Sequence, residues 1–222
     1  MDSFLGVSAL IAVVLIYNYL RGARKRREAF IQSYRFPTTI SQKVKKVYPH
    51  LSDAQVKRVI DGLREYFSIC NTAGRRMISM PSQVVDLAWH EFILFTRAYR
   101  NFCKRGVGRF LHHVPAEAMA APTLAQDGIK RAWRLACQRE GMDPKAAARL
   151  PMLFAIDAEL GISDGFHYVL DCSEARERDQ NSGGGAVYCG SHIGCGGGCG
   201  GSSCSSDGGS CGSSCGGGCG GD

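Results

Sequence analysis

The side chains with most chemical reach lie close together in this sequence. Asp86, Trp89, His90 and Glu91 are followed by Cys103 and by the adjacent pair His112 and His113. Asp86 and His90 are four residues apart, so a helix puts both on one face, where a carboxylate fixes the imidazole tautomer and raises its basicity. His90, Cys103 and either His112 or His113 are ligand types that zinc prefers, and three such ligands leave a fourth position for water. On that reading Glu91 acts as general base of a zinc-dependent enzyme and Asp86 supports a ligating histidine from behind. The same residues admit a reading without metal, in which His90 pairs with Asp86, Cys103 packs in the core and His112-His113 is a solvated loop. Spacing does not decide between them. A zincin helix requires H-E-x-x-H, and Leu94 stands where its second histidine would be.

Nucleophilic catalysis through Cys103 is a third option and requires a depressed thiol pKa in an accessible, electropositive pocket. Lys104 and Arg105 supply charge, yet Cys103 directly follows Phe102 on an apolar helix face, where packed cysteines sit. His50 and His167 have no partner assignable from sequence, and Trp133 reads as core.

The elements that must position these groups are helical. Phe36-Pro37 followed by Thr38 and Thr39 starts a helix with Ile40, Val44 and Val47 on one stripe, and Tyr48-Pro49 stops it. Ser52 with Gln55 three residues on forms a capping box, after which Val56, Val59, Ile60, Leu63, Phe67 and Cys70 recur at helical spacing. Pro81-Ser82 restarts a helix whose residues from Val84 to Leu94 are apolar apart from Asp86, His90 and Glu91, so it is expected to be central. Thr96 can cap a further turn through Tyr99, Phe102 and Cys103, with Gly106 or Gly108 at its end. Leu124, Ile129, Ala132, Trp133 and Ala136 mark another amphipathic helix, and Pro151 to Leu160, closed by Gly161, the last. No internal repeat and no alternating strand pattern stands out, so the predicted fold class is mainly α, one small helical domain over 36–172.

On either side of that domain the composition changes. From Phe4 to Leu20 there is no charged residue, and Arg21, Arg24, Lys25, Arg26 and Arg27 follow. A run of this kind predicts a transmembrane anchor over 1–21 and a basic juxtamembrane linker over 22–35, with the lipid bilayer as a partner. Positive charge is retained inside, which places the N-terminus outside and the domain in the cytosol. The net charge of +7 would suit nucleic acid, but the basic residues crowd this one place and no nucleic-acid partner is expected.

The residues 173–222 are rich in Gly, Ser and Cys without apolar periodicity, which predicts a disordered tail. Its Cys189, Cys195, Cys199, Cys204, Cys211, Cys215 and Cys219 are spaced closely enough to share a soft metal ion in a reducing compartment. No C-x-x-C pair is present to frame one fixed site.

One resemblance can be placed on particular residues. Met80-Pro81-Ser82, Val85-Asp86, Trp89-His90-Glu91-Phe92, Tyr99, Phe102-Cys103 and Gly108-Arg109-Phe110-Leu111-His112-His113 resemble the glycine-rich domain-containing protein-like family. That family pairs a V-D-x-x-W-H segment and a Y-x-x-F-C segment with a glycine-rich region. Leu153 to Gly161 resembles a companion stretch of its bacterial members, which implies a bacterial, membrane-anchored member. Phe92 stands where plant members often carry a second histidine. The resemblance implies a fold and a domain boundary and brings no reaction with it. The expected function is a nonenzymatic, membrane-tethered interaction or scaffold protein with an unidentified protein partner and a tail that binds metal. The alternative is a zinc-dependent enzyme using His90, Cys103 and His112 or His113. No small-molecule substrate follows from the residues.

Overall fold

In the computed structural model of the protein, the described residues are 2–113, 122–170, 187–189 and 193. Seven α-helices are found among them: α1 (Asp2–Ser33), α2 (Thr38–Val47), α3 (Asp53–Ala73), α4 (Gln83–Ile93), α5 (Thr96–Phe102), α6 (Pro122–Arg139) and α7 (Met152–Glu159). A π-helical turn, Cys103–Val107, continues α5, and two short strands, β1 (His167–Val169) and β2 (Val187–Cys189), pair in parallel.

Helix α3 is the axis of the core. Its capping box is present: Ser52 Oγ accepts from Gln55 N at 3.3 Å, and the Gln55 side chain accepts from Ser52 N at 2.8 Å. Val56, Val59, Leu63, Phe67 and Cys70 are all buried, and so are Tyr66, Ile69 and Ala73 on neighbouring faces. A helix buried on so many sides must touch several partners, and α3 packs against α1, α2, α4, α6, α7 and the π-turn. Gly62 permits the closest of these approaches. A Cβ there would lie 2.9 Å from Val85 Cγ2 of α4 and 3.4 Å from Ile156 Cδ1 of α7.

An aromatic cluster fills the space between α1, α3, α4 and α5. Phe36, Phe67, Phe92 and Phe102 contact one another, and the Phe67 and Phe102 ring centroids are 4.7 Å apart. Removing each such ring from water contributes roughly 1.5–3 kcal/mol. In α2 the expected stripe is shorter than its spacing suggests, since Ile40 and Val44 are buried and Val47 is exposed.

The N-terminus of α4 is closed from a distance. Ser82 Oγ accepts from Val85 N at 3.2 Å and donates to Asp157 Oδ1 of α7 at 2.7 Å. The Asp157 carboxylate also accepts from Gln83 N (2.7 Å), Val84 N (3.2 Å) and Phe166 N (2.9 Å). It is 1% exposed, so a charge held at a helix N-terminus by four donors ties α4, α7 and the approach to β1 together.

Of the segment over 22–35, expected as a linker, residues 22–33 are the C-terminal part of α1 and belong to the packed structure. Ile31 is fully buried, Asn71 Nδ2 donates to Arg24 O, and Gln32 Nε2 donates to Ser68 Oγ. Arg139 of α6 donates to both oxygens of Glu65 on α3 and to Glu28 on α1, a bridge across three helices. The one guanidinium offsets the repulsion between two like charges, and partial burial of the three side chains reduces its screening.

Among the described residues no helix is long and apolar enough to cross a membrane. This corrects the expected single-pass anchor over 1–21 and the orientation built on it, with the N-terminus outside and the domain in the cytosol. The apolar run ends at Leu20, in the middle of α1 and not at a helix end. Beyond it the helix continues through Arg21, Arg24, Lys25, Arg26 and Arg27 into the fold.

The pairing of β1 with β2 brings His167 opposite Val187, Tyr168 opposite Tyr188 and Val169 opposite Cys189. Three-residue strands leave too little alternation to read, and Val187–Cys189 falls within the segment expected to be tail. Cys195, Cys199, Cys204, Cys211, Cys215 and Cys219 lie outside the described residues.

Candidate metal site on helix α4

Helix α4 turns Val84, Val85, Ala88, Trp89 and Phe92 inward, which leaves Asp86 and His90 on its outer flank, one turn apart. Their side chains are 20% and 50% exposed, and His90 Nδ1 is 3.8 Å from Asp86 Oδ2. The third member comes from the segment that follows the π-turn. His113 Nε2 lies 3.0 Å from Asp86 Oδ1, and His113 Nδ1 lies 3.2 Å from His90 Nε2. The arrangement satisfies both ring nitrogens when His113 donates from Nε2 to the carboxylate and accepts at Nδ1 from His90.

His113 reaches this position because the chain before it is pinned. Tyr99 Oη donates to Leu111 O at 2.6 Å and accepts from Trp89 Nε1 at 3.1 Å, both bonds buried. Arg109 Nε donates to Gly74 O at 2.7 Å. The His113 ring rests edge-on against Trp89, with centroids 4.6 Å apart, and is tilted against His90 at 4.0 Å. Its side chain is 13% exposed.

One ligand atom from each of Asp86, His90 and His113 lies within 4.8 Å of the others. Tetrahedral zinc with bonds of ~2.0–2.1 Å holds its ligands about 3.3 Å apart, so modest side-chain rotation closes the group on an ion. Two imidazoles and a carboxylate are ligands of zinc and neighbouring divalent transition ions, and a carboxylate against an imidazole is also the usual support behind one.

The other residues singled out from sequence stand apart. Cys103 is fully buried, and burial pushes its thiol up, with the Leu111 backbone, the Tyr99 hydroxyl and the Arg109 charge offsetting part of that. A thiol held protonated in the core is neither a ready ligand nor a ready nucleophile. His112 is exposed and turns to Phe110, with centroids 4.8 Å apart. Glu91 is not part of the converging group. Of the adjacent histidines, then, His113 points in and His112 points out, and Asp86 meets His113 at Nε2, the ring nitrogen remote from His90. His50, which sequence left without a partner, bonds through Nε2 to Leu160 O at 3.0 Å.

The residue that sequence reasoning passed over is Asp157. Its signal was a lone carboxylate within Leu153-Phe154-Ala155-Ile156-Asp157-Ala158, a run too apolar for a solvated face.

Comparison with curated proteins and with solved structures gave no match. A family model described as UCP032817-like matches residues 26–193, more than half of the chain. The matched span includes α2–α7, both strands and all three converging residues, and begins inside α1. This corrects the resemblance to the glycine-rich domain-containing protein-like family, which rested on short segments around Trp89-His90 and Phe102-Cys103. Trp89, Phe102 and Cys103, which carried that resemblance, are buried core residues. By a match over most of its folded part, the chain belongs to the UCP032817-like family.

Proposed function

We propose that the chain is a nonenzymatic interaction domain that carries a divalent transition-metal site at Asp86, His90 and His113, with zinc the ion its ligand types suit. The observation that supports this most is the convergence of the three side chains from α4 and from the segment after the π-turn onto one half-open surface. Metal entry replaces the hydrogen bond between the two imidazoles and joins that segment to α4.

Three protein ligands leave at least one position open, and the exposed edge of His90 turns it toward solvent. A donor side chain from a partner protein fits there. The zinc-enzyme alternative loses support at Cys103, which is buried with its thiol pushed up. Two surface depressions lie beside α5 and between α1 and the π-turn, and neither is lined by Asp86, His90 or His113. The cysteines of the C-terminal region are proposed as a separate, weaker metal-binding group.

Elemental analysis of the full chain against His90→Ala/His113→Ala tests the proposal while leaving those cysteines in place. The expected result is one zinc per chain fewer in the double variant. Equal zinc content in the two proteins would overturn it.

A further inference from the structure

A second site lies on the face where α1 crosses the π-turn. The turn has a five-residue hydrogen bond, Gly108 N to Cys103 O at 2.8 Å, and is followed by Gly108 at φ 78°. π-turns of this kind are rare and concentrate at functional positions. This one brings Gly106 against α1, where a Cβ would stand 3.1 Å from Ile31 Cγ1 and 3.3 Å from Phe30 Cδ1. Between α1 and the turn is a depression of about 400 Å³ lined by Tyr19, Ala23, Arg26, Arg27, Phe30 and Arg105.

Three of those six residues are arginines and none is acidic. Two of the guanidinium groups are held in place. That of Arg105 lies over the Phe30 ring, 4.4 Å from its centroid. That of Arg27 lies across Gly108, so near that a Cβ there would come 2.3 Å from Arg27 Cζ. Among the described residues, ion pairs of cationic side chains with carboxylates use Lys45, Lys57, Arg58, Arg64, Arg139 and Arg149. Among the described residues Arg26, Arg27 and Arg105 have no carboxylate within that reach. Cations gathered around one concavity without a counter-charge repel one another, and planar guanidinium forks match the oxygens of a phosphate.

We infer that the depression between α1 and the π-turn binds a phosphate group, with the oxygens on Arg26, Arg27 and Arg105 and the rest of the ligand against Tyr19 and Phe30. The same chemistry is offered by a small phosphate in solution and by a phosphomonoester lipid headgroup, and two arms separate these sources. The site is independent of Asp86, His90 and His113, so both arms are run in EDTA, which also keeps pyrophosphate from acting as a chelator.

The first arm titrates the full chain with pyrophosphate by calorimetry. The second follows its flotation with phosphatidylcholine vesicles that contain or lack phosphatidic acid. Saturable binding in at least one arm is expected, weakened about tenfold or more in Arg26→Ala/Arg105→Ala. If that variant loses cooperative unfolding, Arg26→Lys/Arg105→Lys takes its place, since it keeps charge and bulk but loses the forks. Binding weakened about threefold or more there supports the inference. Absence of binding in both arms, affinity unchanged in the variant used, or binding only to a long oligonucleotide would each overturn it.

Discussion

Asp86 and Asp157 are both carboxylates within helices of one small core, and their surroundings could hardly differ more. Asp157 is 1% exposed and takes hydrogen bonds from Ser82, Gln83, Val84 and Phe166, so every useful direction around it is occupied. The Asp86 side chain is 20% exposed and pairs with the imidazoles of His113 and His90, side chains that can turn to other partners. A carboxylate saturated by fixed backbone donors stabilises a fold. One partnered by groups that can themselves be displaced is left free to bind.

The sharpest way to break that contrast is Asp157→Ala. It leaves three backbone donors and the Ser82 hydroxyl unpaired in the core, with an expected loss of roughly 3 kcal/mol or more in urea unfolding. Asp86→Ala should cost less than about 1 kcal/mol by the same measurement. Similar losses for the two variants would erase the distinction.

Next in size is the separation of the adjacent histidines. His113→Ala is expected to weaken zinc binding about 100-fold or more by calorimetry, whereas His112→Ala changes it by less than about threefold. An equal effect at both positions would mean that the ring orientations do not select the ligand.

A smaller effect extends the comparison to the thiols behind the site. Burial pushes Cys70 up to about 12 from an ordinary value of 9.0, with the neighbouring Tyr66 and Arg109 only partly opposing it. Below pH 9 both folded and unfolded chains keep that proton. Above it the unfolded chain ionises first, so stability falls between pH 9 and about 12, by roughly 1–2 kcal/mol at pH 10. Cys70→Ser should flatten that decline in urea midpoints, and an unchanged slope would remove burial of this thiol as its cause.

Much of the helical framework was legible because it depends on short-range rules. The Ser52–Gln55 capping box, the Val56-to-Cys70 stripe and the Ser82 start of α4 each follow from spacing within a few residues. The Asp86–His90 pairing was legible for the same reason. What sequence could not supply were relations across the chain. His113 becomes the inward member of its pair only because Tyr99, Trp89 and Gly74 fix the segment before it. Asp157 acts on a helix that begins 74 residues earlier, counted from its bond to Gln83. The apolar N-terminus was misread as an anchor because hydropathy alone does not reveal that the following basic residues continue the same helix into the core.

The π-turn makes chain length itself a determinant of both proposed sites. An α-helical turn closes one residue sooner, so the backbone leaving Cys103–Val107 departs about 100° away from the direction an α-helix would give it. Deleting a single residue from the turn would preserve Asp86, His90, His113 and all three arginines, and yet aim His113 and Arg105 at different neighbours. Both surfaces are set by the phase of one turn, and a chain that kept every ligand but lost that offset would keep neither.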